Sequence, residues 1–323
     1  MDYTKQLDYS SLSTYISCPR KFFFNYVLSY QSVNPKIDLV FGSAWHYGLE
    51  VAYTAWKEDT NLTETDLIEL SITGFNTYWK VEGEPNWPDP DQIFPKSPGN
   101  AANMYSAYWQ RYYPIDRDKK ILGIELPFNL NIPDTSILYT GRIDLAFLNS
   151  SNLEIVDHKT AKSVNKITLT GFISSLQTSG YLTIGKLYYD RIAGMYYRVA
   201  LCQKSKVAHE EFEVVKLDHE IERFLTELSY WAKTISGDCI KYETALQDDA
   251  NFNQDYTPNI FPRTPGYACT AFFSPCPYLD LCMMKNNPLY FHDKVPQGFK
   301  VEEWNPEEHE EKIKNLIAQV KKD

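Results

Sequence analysis

The chain has 323 residues, 43% of them hydrophobic, so it can bury a full core in one large domain. Its 32 basic and 42 acidic residues give a net charge of −10, which argues against a globally basic nucleic-acid-binding surface. Because no stretch approaches the roughly 18 to 20 apolar residues of a membrane span and no signal-like segment is present, we expect a cytoplasmic protein without a membrane span.

Hydrophobic periodicity and helix-breaking residues predict a series of helices and strands along the chain. The predicted helices cover about residues 10–30, with Ser10 or Ser11 as cap, a segment around His46, and 61–80, 100–113, 168–189 and 218–236. The predicted strands cover about residues 120–130, 137–148, 153–158, 194–203 and 209–217. A proline-rich loop is expected at 83–99, and a short amphipathic helix capped by Asn305 at the C-terminus.

Two neighbouring predicted strands end in acids and a lysine. The first carries Gly141-Arg142-Ile143-Asp144 and the second Ile155-Val156-Asp157-His158-Lys159. Residues two apart on a strand point to the same face, so Asp157 and Lys159 share a side while His158 faces away. Carboxylate oxygens suit Mg²⁺ or Mn²⁺, and an ammonium beside them suits hydrolysis. A solvated turn is the simpler interpretation of either segment alone.

Other polar residues accompany these two segments in a fixed order. His46 lies in the helical stretch Phe41–Glu50, and Glu125 is the one acid of the apolar strand Ile121–Phe128. Downstream, Gln177 and Tyr181 are four residues apart and share a helical face.

This order of motifs resembles the PD-(D/E)xK nuclease superfamily, specifically its RecB-like exonuclease branch. That branch includes AddB-type nuclease domains, CRISPR-associated RecB-type exonucleases and phage exonucleases. The resemblance covers about residues 9–285. It implies an α/β fold with a restriction-endonuclease-like core, a mixed central sheet flanked by helices, together with a helical insert and a C-terminal cysteine-bearing segment.

The resemblance divides the single nuclease domain, residues 1–323, into successive parts. These are an N-terminal helix with the first cluster cysteine (1–40), a helical insert with His46 (41–118), the core sheet (119–217), a helix with a cysteine trio (218–300) and a C-terminal helix (301–323).

Four cysteines extend the resemblance. Members of the branch that carry a [4Fe-4S] cluster use one cysteine before the core and three after it, which here implies Cys18 with Cys269, Cys276 and Cys282. One departure is that six residues, rather than the commoner two, separate Cys269 from Cys276. A zinc site and plain buried thiols are the alternatives.

The resemblance also implies a role for each site residue. The metal ligands of an Mg²⁺ or Mn²⁺ site would be His46, Asp144, Asp157 and the carbonyl oxygen of His158. The residues acting beside the metal would be Lys159, which orients or helps to deprotonate the attacking water, Gln177 and Tyr181, which position the scissile strand, and Glu125 as a supporting acid.

The expected function is a metal-dependent DNA nuclease. It would be an exonuclease acting on DNA ends or single strands in recombination, repair or phage DNA processing, with a helicase or recombination protein as its expected partner and a phage as a candidate source. One alternative is a nuclease-fold subunit that binds DNA or a partner without cutting. Another is a carbohydrate-active or other hydrolase with paired acids, which explains neither the Asp-x-Lys nor the four cysteines.

Overall fold

The structure, a computed structural model, describes residues 2–189, 191–247, 260–271 and 274–302. Its helices are α1 (Tyr9–Ser17), α2 (Pro19–Phe22), α3 (Ile37–Glu58), α4 (Glu64–Glu82), α5 (Pro98–Asp116), α6 (Lys166–Ser174), α7 (Leu176–Tyr188), α8 (Asp218–Ala245) and α9 (Leu279–Met284). Its strands are β1 (Gln6–Asp8), β2 (Tyr30–Ser32), β3 (Lys120–Asn131), β4 (Leu138–Asn149), β5 (Asn152–Ala161), β6 (Ile192–Cys202), β7 (Val207–Val214) and β8 (Phe299–Val301). The amphipathic helix predicted near the C-terminus, from Asn305 onward, lies outside the described residues.

The predicted first helix is interrupted at Cys18. This residue has an extended backbone, with φ at −162°, and α2 begins with Pro19 at its first position. The cap of α1 is Asp8, not Ser10 or Ser11; its side chain accepts from the backbone N–H of Ser11, whose hydroxyl completes a capping box. A cysteine is thereby placed at the bend between two short helices.

The helix predicted for 168–189 is also two helices. Ser175 has an extended backbone between α6 and α7, and its side chain accepts a hydrogen bond from the backbone N–H of Gln177. A serine that caps a new helix ends the previous one. The short strands β1, β2 and β8 were not predicted, and the helix predicted for 218–236 continues to Ala245.

The expected mixed α/β architecture is confirmed. The main sheet has the order β1-β4-β5-β6-β7, and β3 pairs with β4. The strand pairs β4–β5 and β6–β7 are antiparallel, whereas β1–β4 and β5–β6 are parallel. A separate two-stranded sheet joins β2 to β8. No helix among the described residues combines the length and apolar character that crossing a membrane requires.

The chain divides into two compact units. The first takes its described residues from Met1–Asn34, Asn129–Gly141 and Glu222–Lys312. The second takes them from Pro35–Phe128 and Arg142–Ile221. The second unit contains the acidic and lysine motifs, and the first contains the four cysteines of the predicted cluster. The single nuclease domain with the five predicted parts stays a prediction.

The core of the second unit is rich in aromatic side chains from α3, α4 and α5, packed against β4–β6. Helices α3 and α4 cross closely because glycines face each other there. A Cβ on Gly48 would lie 2.2 Å from the Tyr105 hydroxyl and 2.5 Å from the Ser71 carbonyl oxygen, and a Cβ on Gly74 would lie 3.0 Å from the Gly48 Cα. The crossing point at Gly48 lies two residues beyond His46. Close packing there fixes the position of α3 near that histidine.

Candidate active site

The site begins where β4 and β5 stop pairing. Their paired residues run from Asn149–Asn152 to Leu145–Val156. Just beyond, the backbone N–H of His158 donates to Asp144 Oδ2 over 2.9 Å. The Asp144 carboxylate thus accepts the hydrogen bond of a β5 backbone N–H. This contact holds Asp144 where β4 and β5 diverge, a place called the wedge below.

Three residues from three elements meet at this wedge. One ligand atom each of His46 (α3), Glu125 (β3) and Asp144 (β4) lies within 4.8 Å of the other two, so the group can hold a metal ion. Within this group, His46 Nδ1 lies 3.2 Å from Asp144 Oδ2. Glu125, predicted only as a supporting acid, therefore lies among the donors themselves.

Glu125 reaches this position through an unusual backbone. Its φ is +45°, in the left-handed region that residues with a Cβ rarely adopt. Such conformations cluster at functional sites, where they redirect a side chain. Burial raises the pKa of Glu125 to about 8, and the charges of Asp144 and Glu50 act in the same direction.

Asp157 and Lys159 share one face of β5, as predicted. The Lys159 ammonium lies 2.5 Å from Asp157 Oδ2, yet neither carboxylate oxygen of the fully buried Asp157 accepts a hydrogen bond of good geometry. Burial raises the pKa of Asp157 to about 6, against the opposing effect of Lys159. Burial lowers the pKa of Lys159, but Asp157 and Asp144 outweigh it, so that pKa lies above its ordinary value.

The charges of His46 and Asp144 stabilise each other. Burial disfavours both charged forms, but the Asp144 carboxylate outweighs it and raises the pKa of His46. In the same way His46 and Lys159 hold the pKa of Asp144 well below its usual range. These neighbours therefore favour the carboxylate form of Asp144.

Gln177 and Tyr181 meet on α7 as their spacing predicts. Gln177 Nε2 donates to the Tyr181 hydroxyl over 3.0 Å. That hydroxyl donates in turn to the carbonyl oxygen of Arg142 on β4. The pair thus ties α7 to the strand that carries Asp144, two residues further along.

This donor set fits a divalent cation. It combines an imidazole with carboxylates, the ligands that Mn²⁺ and Mg²⁺ sites use. A buried carboxylate without a hydrogen bond, such as Asp157, is costly unless a positive charge compensates it. Lys159 supplies part of that charge, and a bound cation would supply more.

Comparison with known proteins identifies the family. The model of the PD-(D/E)XK nuclease superfamily matches residues 6–283, most of the chain. The chain belongs to the PD-(D/E)XK nuclease superfamily. Membership indicates a metal-dependent nuclease with DNA as its substrate.

The other comparisons add little. No curated protein matches the chain. A solved structure described as "Crystal structure of SSO0001" shares 10% sequence identity with it, over 69% of this chain and 75% of that one, at a TM-score of 0.30. At that score the likeness carries no argument about the nuclease.

The four cysteines of this nuclease lie in the first unit, but among the described residues no three of their sulfur atoms lie within 4.8 Å of one another. Burial raises the pKa of Cys282 to about 11, and negative charge on Cys18 and Cys276 adds to the increase. Burial likewise raises the pKa of Cys276, with Cys18 and Cys269 adding to it. The backbone N–H of Cys276 also donates to the carbonyl oxygen of Cys269 over 2.8 Å.

The sequence did not reveal which residues surround the imidazole of His158. It lies on the face of β5 opposite Asp157 and Lys159, with Nε2 2.8 Å from the Tyr108 hydroxyl. Arg198, its partner in the β5–β6 register, is fully surrounded by protein. The one signal available in the sequence was an arginine within the apolar strand predicted at 194–203.

Proposed function

We propose that this nuclease is an exonuclease that acts on DNA ends or single strands in recombination, repair or phage DNA processing. The observation that carries the nuclease assignment is the convergence of His46, Glu125 and Asp144 beside the Asp157–Lys159 pair. The order of the motifs along the chain, which resembles the RecB-like branch, supports the exonuclease assignment.

In this proposal His46, Glu125, Asp144 and Asp157 hold Mg²⁺ or Mn²⁺, with the carbonyl oxygen of His158 as a further ligand. A bound divalent cation supplies Lewis acidity and lowers the pKa of bound water. Lys159 stays protonated because its pKa is raised, so its role is to donate a hydrogen bond and neutralise phosphate charge rather than to remove a proton. Gln177 and Tyr181 position the scissile strand.

We also propose that Cys18, Cys269, Cys276 and Cys282 hold a [4Fe-4S] cluster. Their place in one compact unit, and the backbone hydrogen bond from Cys276 to Cys269, support this. Zinc, which also accepts four thiolates, is the competing occupant.

Free thiols suit a cytoplasmic location, and a helicase or recombination partner would supply the DNA ends.

The deciding experiment incubates the protein with end-labelled linear and circular DNA, single- and double-stranded, with Mn²⁺ or Mg²⁺. Degradation of linear molecules alone supports the exonuclease, whereas nicking or opening of circles points to an endonuclease. DNA binding without cleavage in either metal would favour a non-cutting subunit. An Asp144→Asn variant serves as the control for contaminating nucleases.

A further inference from the structure

Buried hydroxyl groups form a hydrogen-bond chain that runs from His158 to residues of α5 and α3 in the second unit. The Tyr108 hydroxyl lies 2.8 Å from His158 Nε2 and 2.9 Å from the Tyr53 hydroxyl. The Tyr53 hydroxyl donates to Asp116 Oδ2 over 2.9 Å. All four residues are buried, so water does not substitute for these contacts.

Arg198 holds the far end of this chain. Its Nη1 lies 2.5 Å from Asp116 Oδ2 and its Nη2 lies 2.8 Å from Oδ1, a two-point pairing of buried charges. Nη1 also lies 3.2 Å from the Tyr53 hydroxyl and 3.3 Å from that of Tyr108. Burial acts to raise the pKa of Asp116, but the charge of Arg198 outweighs burial and lowers that pKa. Asp116 is therefore an ionised acceptor.

The contacts fix the direction of every proton in the chain. A carboxylate only accepts, so the single proton of Tyr53 is committed to Asp116. The contact between Tyr53 and Tyr108 then requires the proton of Tyr108. With both hydroxyl protons used, the remaining contact requires that His158 Nε2 carries a proton and donates to Tyr108.

Two members of the hydrogen-bond chain, His158 on β5 and Tyr53 on α3, belong to elements that carry site residues. His158 lies between Asp157 and Lys159, and its own N–H donates to Asp144. Tyr53 lies on α3 seven residues after His46, hence two turns along the same helix face. The chain therefore joins β5 to the helix that places His46 beside Asp144.

We infer that the hydrogen-bond chain from His158 through Tyr108 and Tyr53 to Asp116 sets the Nε2–H form of His158 and holds its peptide at the metal site. His158, Tyr108 and Tyr53 are positioning residues, and this role rests on the proposed nuclease function. The arrangement matches the general use of outer groups to orient metal ligands.

The test compares two buried tyrosines of α5. Tyr108→Phe removes a hydroxyl from the chain. Tyr112→Phe, one turn further on, removes a buried hydroxyl that has no hydrogen-bond partner. Metal-free protein labelled with ¹⁵N-histidine reports which ring nitrogen of His158 carries the proton, with His158→Gln for assignment. We expect the Nε2–H form in the wild type and Tyr112→Phe, and its loss in Tyr108→Phe.

Mn²⁺ titration calorimetry and single-turnover cleavage complete the test. Tyr108→Phe should weaken Mn²⁺ binding and slow cleavage about 10-fold, with KM for DNA unchanged, while Tyr112→Phe leaves both unaltered. Tyr53→Phe should change both in the same direction, and it replaces Tyr108→Phe if that variant does not fold. A wild-type His158 protonated at Nδ1 would overturn the inference even if the protein proves not to cut DNA. So would a Tyr108→Phe variant that loses only thermal stability.

Discussion

At the scale of single residues, the site depends on groups whose charges are set by their neighbours. The half-buried Lys159 and the buried Asp157 stabilise each other, whereas Lys162, three residues further on, is exposed. We therefore expect the two lysines to have different roles, although Lys159 lies near the end of β5 and Lys162 directly follows that strand.

Replacing Lys159 tests this difference. Lys159→Met keeps the length of the side chain but removes its charge, so cleavage at saturating DNA should fall by about 100-fold or more. Lys162→Met should change that rate by no more than about 2-fold. It should instead lower the affinity for DNA and make that affinity less dependent on salt. Single-turnover rates and binding isotherms at two salt concentrations separate the effects. Equal rates for wild type and Lys159→Met would contradict the proposed role.

The acids of the site make metal binding depend on pH. The pKa of Glu125 is raised to about 8 and that of Asp157 to about 6, in both cases chiefly by burial, so the metal-free protein holds protons that a cation must displace. Affinity for Mn²⁺ should thus weaken by about 10-fold or more as the pH falls from 8 to 6. Calorimetry in buffers of different ionisation enthalpy should detect the released protons.

Glu125→Gln is the matched control for this pH dependence. It should bind Mn²⁺ less tightly at pH 8, but its affinity should change less between pH 8 and pH 7, because one of the groups that titrate there is gone. An affinity for Mn²⁺ that is the same at pH 6 and pH 8 would show that neither acid is a ligand.

At the scale of elements, the crossing of α3 and α4 determines where His46 lies. An added Cβ at Gly48 would overlap backbone as well as the Tyr105 hydroxyl, so the helices would have to separate. Gly48→Ala should lower the free energy of unfolding by about 1–3 kcal/mol and also weaken Mn²⁺ binding.

Gly171→Ala is the matched control. It lies within α6, where an added Cβ meets nothing within 4 Å, so the free energy of unfolding should rise by about 0.5–1 kcal/mol. Urea unfolding of both variants is the measurement. If Gly48→Ala were as stable as wild type, the close crossing would not constrain α3.

The sequence predicted the parts of the site that local geometry determines. Strand alternation separated Asp157 and Lys159 from His158, and helical spacing paired Gln177 with Tyr181. Glu125 was placed only as a supporting acid, because its approach to Asp144 needs a positive φ in β3 that no local pattern signals. The residues around the His158 imidazole come from α3, α5 and β6. Only the parallel register of β5 and β6 brings Arg198 opposite His158.

At the scale of the whole molecule, the proposed cluster would join distant parts of the chain. Cys18 and Cys269 are 251 positions apart, and closing a loop of that length carries an entropic cost of about 5 kcal/mol in the unfolded chain. A cluster that keeps the loop closed therefore stabilises the fold, whatever its redox behaviour.

Loss of one ligand should remove the cluster. Cys282→Ala should lose iron and the brown colour and melt at a lower temperature, whereas Cys202→Ala, which alters a buried thiol of the other unit, should keep its iron. Iron analysis, visible absorbance and thermal melting check this. About four irons per chain are expected in the wild type; one zinc and no iron would retain the cross-link but exclude the iron-sulfur cluster.

The alternation of β5 has a consequence for how this nuclease can change over evolution. Asp157, His158 and Lys159 serve opposite faces of one strand, so adding or deleting a residue just before them would exchange the two faces. The imidazole would turn toward the site, and two charged groups would enter the aromatic interior. A change in the length of β5 keeps the two faces only if a bulge absorbs it, as the irregularity between Leu153 and Glu154 does in the pairing with β6, so insertions should be tolerated best at the turn at Ser150 and Ser151.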